Sequence, residues 1–203
     1  SGQAVAFISG GKEYGVIIAP KHLAFNDTEI NRTGVSVFMT EQQARENELR
    51  GTQASIEDAG ALGVMTAFNR VGITAANAHT GLLKNILRGE WGFKGLESQD
   101  FIMNPNYAVL KEYALNGGTM TTFTGENTMA AVSEKFAYWT TENVGQDTEL
   151  MSAIKQAMTW QAYALANSNA LDGMASSTRL VSVRTWYDNA LVAVQVVFAA
   201  LTV

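Results

Sequence analysis

A chain of 203 residues that is 47% hydrophobic and 16% charged can bury one sizeable core. Its formal net charge of -5 argues against a nucleic-acid partner, and with no cysteine neither a disulfide framework, thiolate chemistry nor a cysteine metal site is available. The two histidines, His22 and His79, lie too far apart for metal-ligand spacing, and no Lys-Ser/Thr phosphate loop or Gly-x-Ser-x-Gly elbow is present. No cofactor is implied.

Ser1-Gly-Gln lacks the basic start of a signal peptide and Ala4 to Ile8 is too short for its apolar region, so the opening reads as an internal cut. Residues 3 to 12 read as the end of a helix stopped by Gly10-Gly11. Gly15 to Ala19 has the continuous apolar character of a buried parallel strand, and the run ends in Lys21-His22. Side chains at the carboxyl ends of parallel barrel strands project into the mouth of the barrel, where a cation and an imidazole can hold a polar ligand. Asn26 to Gly34 is a polar loop. Thr40 and Gln43 carry the spacing of a capping box, opening a helix predicted to run to about Asp58.

Gly60-Ala-Leu-Gly63 breaks that helix, and Val64 to Phe68 is the next predicted strand. Leu82, Leu83, Ile86 and Leu87 recur at helical spacing after His79, which is expected to make a structural hydrogen bond near the helix start. Glu97-Ser98-Gln99-Asp100 forms a third strand, with Glu97 and Asp100 on opposite faces because their separation is odd. A helix over 105 to 116, a short strand from Gly117 to Phe123 and a long helix from Asp147 to Asn169 follow. Trp139, Trp160, Tyr163, Trp186 and Tyr187 offer aromatic faces on which a ligand could stack, although aromatics at helical spacing usually build a core. Ala190 to Val203 is uncharged, fitting either a buried terminal helix or the first part of a membrane anchor.

Lys21-His22-Leu-Ala-Phe-Asn26-Asp-Thr-Glu29-Ile-Asn-Arg32, followed by the acidic, arginine-containing helix at Thr40, resembles the KHF-x-x-N-x-x-E-x-x-R segment of glycoside hydrolase family 3. Val64-Met-Thr-Ala-Phe-Asn69 is similar to that family's VM-x-x-Y/F-N strand, and Arg88-Gly-Glu-Trp-Gly-Phe-Lys-Gly95 to the motif preceding its nucleophile strand. The N-acetylhexosaminidase branch continues its Lys-His with Phe-Pro-Gly, so Leu23-Ala24-Phe25-Asn26 favours the β-glucosidase branch.

The resemblance implies an α/β fold, a partial (β/α)8 TIM-type barrel with a C-terminal helical extension. It would divide into the second half of a glycosidase barrel at 1–125 and a mainly helical extension at 126–203. It implies Asp100 as catalytic nucleophile, Lys21, His22 and Arg32 as sugar-binding residues, and Met65 and Phe68 as walls of the sugar pocket. The implied reaction is retaining cleavage of terminal β-glucosyl residues through a covalent glycosyl-enzyme, on a small β-glucoside or oligosaccharide. The acid/base glutamate is expected outside this chain. The open half-barrel is expected to be completed by a second polypeptide, by an N-terminal remainder or by a homodimer. Two departures from the family pattern, polar Glu97-Ser98 in place of aliphatic residues and Thr119-Met120 where an Asp usually stands, support an alternative. In it, the chain is a non-catalytic, degenerate half-barrel that binds sugar or self-associates. Localisation is left between a bacterial cytoplasm and membrane association through a truncated apolar tail.

Overall fold

The computed structural model describes residues 1–32, 34–67, 69–101, 109–122, 139–174, 177–179, 181 and 183–201. The chain divides into two compact units, Ser1–Asp172 and Gly173–Val203. The boundary expected at 125/126 falls among residues outside the described set.

The first unit opens with helix α1, Gly2–Glu13. Gly10 and Gly11 do not stop it, contrary to the sequence expectation. Its last turn is closed when Tyr14 N and Gly15 N donate to Gly11 O and Lys12 O, and the chain turns away at Gly15 with φ 70°. A side chain there would be strained and would also meet the backbone N of Asn169 at 2.8 Å, so glycine is required twice over.

The following segment was expected to be a regular strand over 15–21. It forms only the carboxyl part of a ladder: Met65 N donates to Pro20 O, Leu23 N to Met65 O and Ala67 N to Leu23 O. Its partner is β2, Gly63–Thr66, which pairs in parallel with β5, Leu96–Gln99, in the register Gly63↔Leu96 to Thr66↔Gln99. A further parallel bridge, Ser98↔Met120, lies on the other side of β5. Four parallel segments therefore lie side by side in sequence order, joined by helical crossovers, the topology of βαβ units. The Gly117 to Phe123 strand shortens to that single bridge among the described residues.

Helix α2 crosses from the first segment to β2 as three contiguous pieces: Glu41–Gln43, a π-helical Ala44–Glu48, and Leu49–Glu57. Its capping box forms as predicted, Gln43 N donating to the Thr40 hydroxyl at 3.2 Å while the Gln43 side chain accepts from Thr40 N. Before α2, β1 (Ser36–Val37) pairs with β3 (Arg70–Val71), which follows β2, and β3 pairs with β4 (Thr74–Ala75), giving a small separate sheet. Helix α3, Gly81–Glu90, has wide π-type turns and buries the predicted Leu82, Leu83 and Leu87 against β2, with Ile86 half-buried beside them. His79 makes the expected structural bond, its Nδ1 accepting from Leu82 N at 3.0 Å.

Helix α4, Leu110–Leu115, carries only the end of the helix predicted over 105–116, because 102–108 lie outside the described residues. It packs against α6, Thr148–Ala166, which follows a short α5, Thr141–Gln146. Asp147 caps α6 by accepting from Leu150 N at 3.0 Å, and Leu150 and Ala157 are buried, whereas Met158 is exposed.

Arg88 ties these layers together. Its guanidinium donates to the carbonyls of Phe93, Gly95 and Gly117 at 2.7 to 3.1 Å, and lies 3.8 Å from the ring centre of Trp160 and 4.9 Å from that of Phe93. A planar fork with five donors suits three carbonyls at once, which a lysine could not match. Trp160 is thus occupied with the arginine rather than presented to a sugar. Burial lowers the Arg88 pKa to about 10, with nearby Glu97 partly opposing the shift.

In the second unit, α7 spans Trp186–Leu201 and has no buried residue. Among the described residues no helix is long and apolar enough to cross a membrane. The sixteen residues of α7 span about 24 Å against a hydrocarbon core of about 30 Å.

Candidate active site

The candidate site forms at the carboxyl ends of the parallel segments. Asp100 directly follows β5, and the turn after Pro20 brings His22 beside it. His22 Nε2 lies 3.1 Å from Asp100 Oδ2, and Arg32 Nη1 lies 4.0 Å from the same oxygen. Asp100 Oδ1 accepts from the backbone N of Phe101 at 2.9 Å, which fixes the carboxylate plane. Oδ2 is enclosed yet receives no well-aligned hydrogen bond, so His22 approaches it off the N–H axis. One carboxylate oxygen is anchored; the other faces two basic side chains with lone-pair capacity to spare.

Arg32 is oriented from behind by Glu29, whose Oε1 accepts from Nη1 at 3.2 Å. Asn26 stands against the far edge of His22, with Nδ2 3.3 Å from Nδ1. The backbone is specialised here. The Lys21–His22 and Leu23–Ala24 peptide bonds are cis, and Phe25 takes φ 66°, a left-handed conformation rare for a bulky side chain. That turn folds Asn26 back over His22. Burial lowers the His22 pKa below the ordinary imidazole value, the Asp100 charge opposing the shift and the Lys21 and Arg32 charges adding to it, with Glu29 opposing weakly.

Four of the expected site residues are placed around one position. His22 and Arg32 contact Asp100, Lys21 is the exposed neighbour of His22, and half-buried Met65 sits on β2 opposite Ser98. Phe68 lies outside the described residues. Asn26 and Glu29 were not selected from the sequence as site residues, although both belong to the Lys-His…Asn…Glu…Arg spacing. Their four- and three-residue offsets from His22 and Arg32 were the available signal.

Asn69 is fully enclosed after β2 and donates to Ala24 O at 3.0 Å, pinning the Lys-His turn to the strand that carries Met65. Gln99, on the opposite face of β5 from Asp100, accepts from Asn77 Nδ2 at 2.6 Å. Glu97 also lies away from Asp100, as its odd separation predicted, and is completely buried. Neither of its carboxyl oxygens has an aligned hydrogen bond; the Tyr113 hydroxyl shares its one proton between the backbone oxygens of Glu97 and Met120, at 2.9 and 2.8 Å. Thr119, standing where the family carries an Asp, bonds through its hydroxyl to the backbone N and O of Glu97. Glu97 and Thr119 therefore meet in one polar layer.

The sequence profile of the Glycosyl hydrolase family 3 N terminal domain matches residues 1–118, more than half of the chain. The chain belongs to glycoside hydrolase family 3. It is 39% identical over 98 residues to probable beta-glucosidase J of Emericella nidulans, covering 48% of this chain and 12% of that protein. It is 40% identical over 98 residues to beta-glucosidase B of the same fungus, again covering 48% and 12%. The chain thus spans about an eighth of the length of these relatives, which are fungal where the sequence reading expected a bacterial protein. Among solved structures, beta-glucosidase 3B from Thermotoga neapolitana in complex with glucose aligns with a TM-score of 0.68 and 23% identity, over 82% of this chain and 23% of that one. A beta-glucosidase from Paenibacillus barengoltzii aligns with a TM-score of 0.72 and 22% identity, over 88% and 20%. These likenesses establish the α/β fold of the segment.

Proposed function

We propose that this family 3 segment supplies the nucleophile side of a retaining β-glucosidase site, within a catalytic unit completed by further polypeptide. The observation that carries this reading is the convergence of His22 and Arg32 on Asp100 Oδ2 while Oδ1 is anchored by Phe101 N. A carboxylate held in that way can attack the anomeric carbon of a bound β-glucoside. The C–O bond to the leaving group breaks, its oxygen takes a proton from an acid supplied outside this segment, and the sugar is left as an ester of Asp100. Water, deprotonated by the same group, then attacks the anomeric carbon, and the carboxylate departs.

Lys21, His22 and Arg32 bind the sugar hydroxyls in this reading, and their positive or N–H edges offset the charge moving on the carboxylate. Met65, with Phe68, walls the pocket. The four parallel segments act as consecutive strands of a (β/α)8 barrel, and their open edges require the remaining strands from another segment, a second polypeptide or a second copy. The substrate is a small β-glucoside or oligosaccharide.

Product stereochemistry tests this. With an aryl β-glucoside and the assembled catalytic unit, the first-formed glucose observed by proton NMR is expected to be the β anomer. First formation of the α anomer would exclude a covalent intermediate on Asp100. Hydrolysis-free binding of glucose would instead support the degenerate, sugar-binding alternative.

A further inference from the structure

We propose that Asn26 is a positioning residue that helps to fix the tautomer of His22, with the proton on Nε2 and a lone pair on Nδ1. A neutral histidine ring can carry its proton on either nitrogen, and the groups facing the two nitrogens decide which. Asn26 breaks that equivalence, because its amide can donate to Nδ1 across the 3.3 Å contact only if Nδ1 carries a lone pair. The other edge agrees. With Nε2 3.1 Å from the negative Oδ2, a proton on that nitrogen is favoured over a lone pair even off the N–H axis.

The doubly protonated ring is disfavoured by burial and by the neighbouring Lys21 and Arg32 charges, against the attraction of Asp100 and Glu29, the other charged groups acting on it. No described donor holds Asn26 Oδ1, so the ring is what orients the amide. The left-handed turn at Phe25 is what brings Asn26 within reach. The consequence for catalysis rests on the reading of Asp100 as nucleophile: a neutral N–H donor steadies the carboxylate, whereas an imidazolium would pair with it and quench its charge. The tautomer assignment itself does not depend on that reading.

The test needs no activity. The chain has two histidines, so a histidine-15N-labelled sample gives two resolvable imidazoles in long-range proton–nitrogen correlation spectra, distinguished by a His79→Gln variant. At pH 8, His22 is expected to show an unprotonated Nδ1 and a protonated Nε2, with about a tenfold preference, the ratio that one net hydrogen bond supports. Asn26→Ala should lower that preference severalfold, leaving the bias that Asp100 alone imposes. Asn26→Asp, whose carboxylate accepts from Nδ1–H, should raise the His22 titration midpoint by about one unit or more.

His79 serves as the folding control. Its Nδ1 is bonded to Leu82 N away from the site, and its signals should stay unchanged in every variant. A wild-type His22 carrying its proton on Nδ1 would overturn the proposal without recourse to any variant. So would an Asn26→Ala protein with intact His79 signals and an undiminished Nε2–H preference. Should either result accompany retention of stereochemistry in hydrolysis, the role of Asn26 fails while that of Asp100 stands.

Discussion

Replacing Asp100 with asparagine should lower kcat/KM of the assembled catalytic unit on an aryl β-glucoside by at least about 10^3-fold, the scale at which loss of a covalent nucleophile is felt. The substitution is nearly isosteric. An asparagine oxygen can still accept from Phe101 N, so the anchored half of the side chain persists. What disappears is the negative charge and nucleophilicity of the second oxygen, toward which His22 and Arg32 point. An amide cannot form the glycosyl ester, and it offers those two basic groups a weaker partner. The thermal midpoint should change little, because Arg32 remains paired with Glu29 and the contacts of β5 are untouched. Equal rates for the variant and the wild type would remove Asp100 from the mechanism.

The second large effect is on stability. Glu97 is buried in the centre of β5, and burial pushes its carboxyl up to about 7, against smaller opposing contributions from Tyr113, Arg88, Thr66 and Thr119. Arg88 helps little as a partner because its N–H groups are already committed to backbone carbonyls. The folded state therefore keeps this proton over a range where the unfolded chain releases it. The resulting stabilisation is fully present below about pH 4.5 and is lost as pH rises through about 7. A shift from 4.5 to about 7 corresponds to a loss of about 3 kcal/mol across that window.

His22 acts in the opposite sense: its lowered pKa gives stability that is present above 6.5 and lost as pH falls. The two must be separated by a variant. Glu97→Gln keeps a neutral polar side chain at every pH, so urea unfolding should show equal stabilities for variant and wild type near pH 4.5 and a more stable variant at pH 8, by about 3 kcal/mol at most. A difference between the two proteins that does not change with pH would show that Glu97 does not titrate on folding.

The contrast between Asp100 and Glu97 shows what the chain revealed before its structure. The place of Asp100 at the end of β5 was legible because a helix-ending motif and a strand precede it, and because odd spacing removes Glu97 from its face. The capping box at Thr40 and the buried face of α3 were equally local. Long-range pairings were hidden. Nothing in Gly10-Gly11 indicates that α1 continues to the next glycine, since the exit is set by Gly15 against Asn169 from the far end of the unit. The strand expected from Gly15 pairs only near its carboxyl end, where β2 reaches it. The polar layer around Glu97 and Thr119 looked like damage to an aliphatic strand. It is a packed arrangement, with Thr119 and Tyr113 satisfying backbone groups, although the Glu97 carboxyl is left unbonded. Such compensation comes from residues more than a dozen positions away, beyond any local pattern.

Covalent trapping tests the central assignment most directly. The assembled catalytic unit would be treated with an activated 2-deoxy-2-fluoro-β-glucoside, digested, and the labelled peptide sequenced by mass spectrometry. A single fluoroglucosyl group on Asp100, absent from the Asp100→Asn protein, is the expected result; a label on any other carboxylate, with Asp100 unmodified, would contradict it.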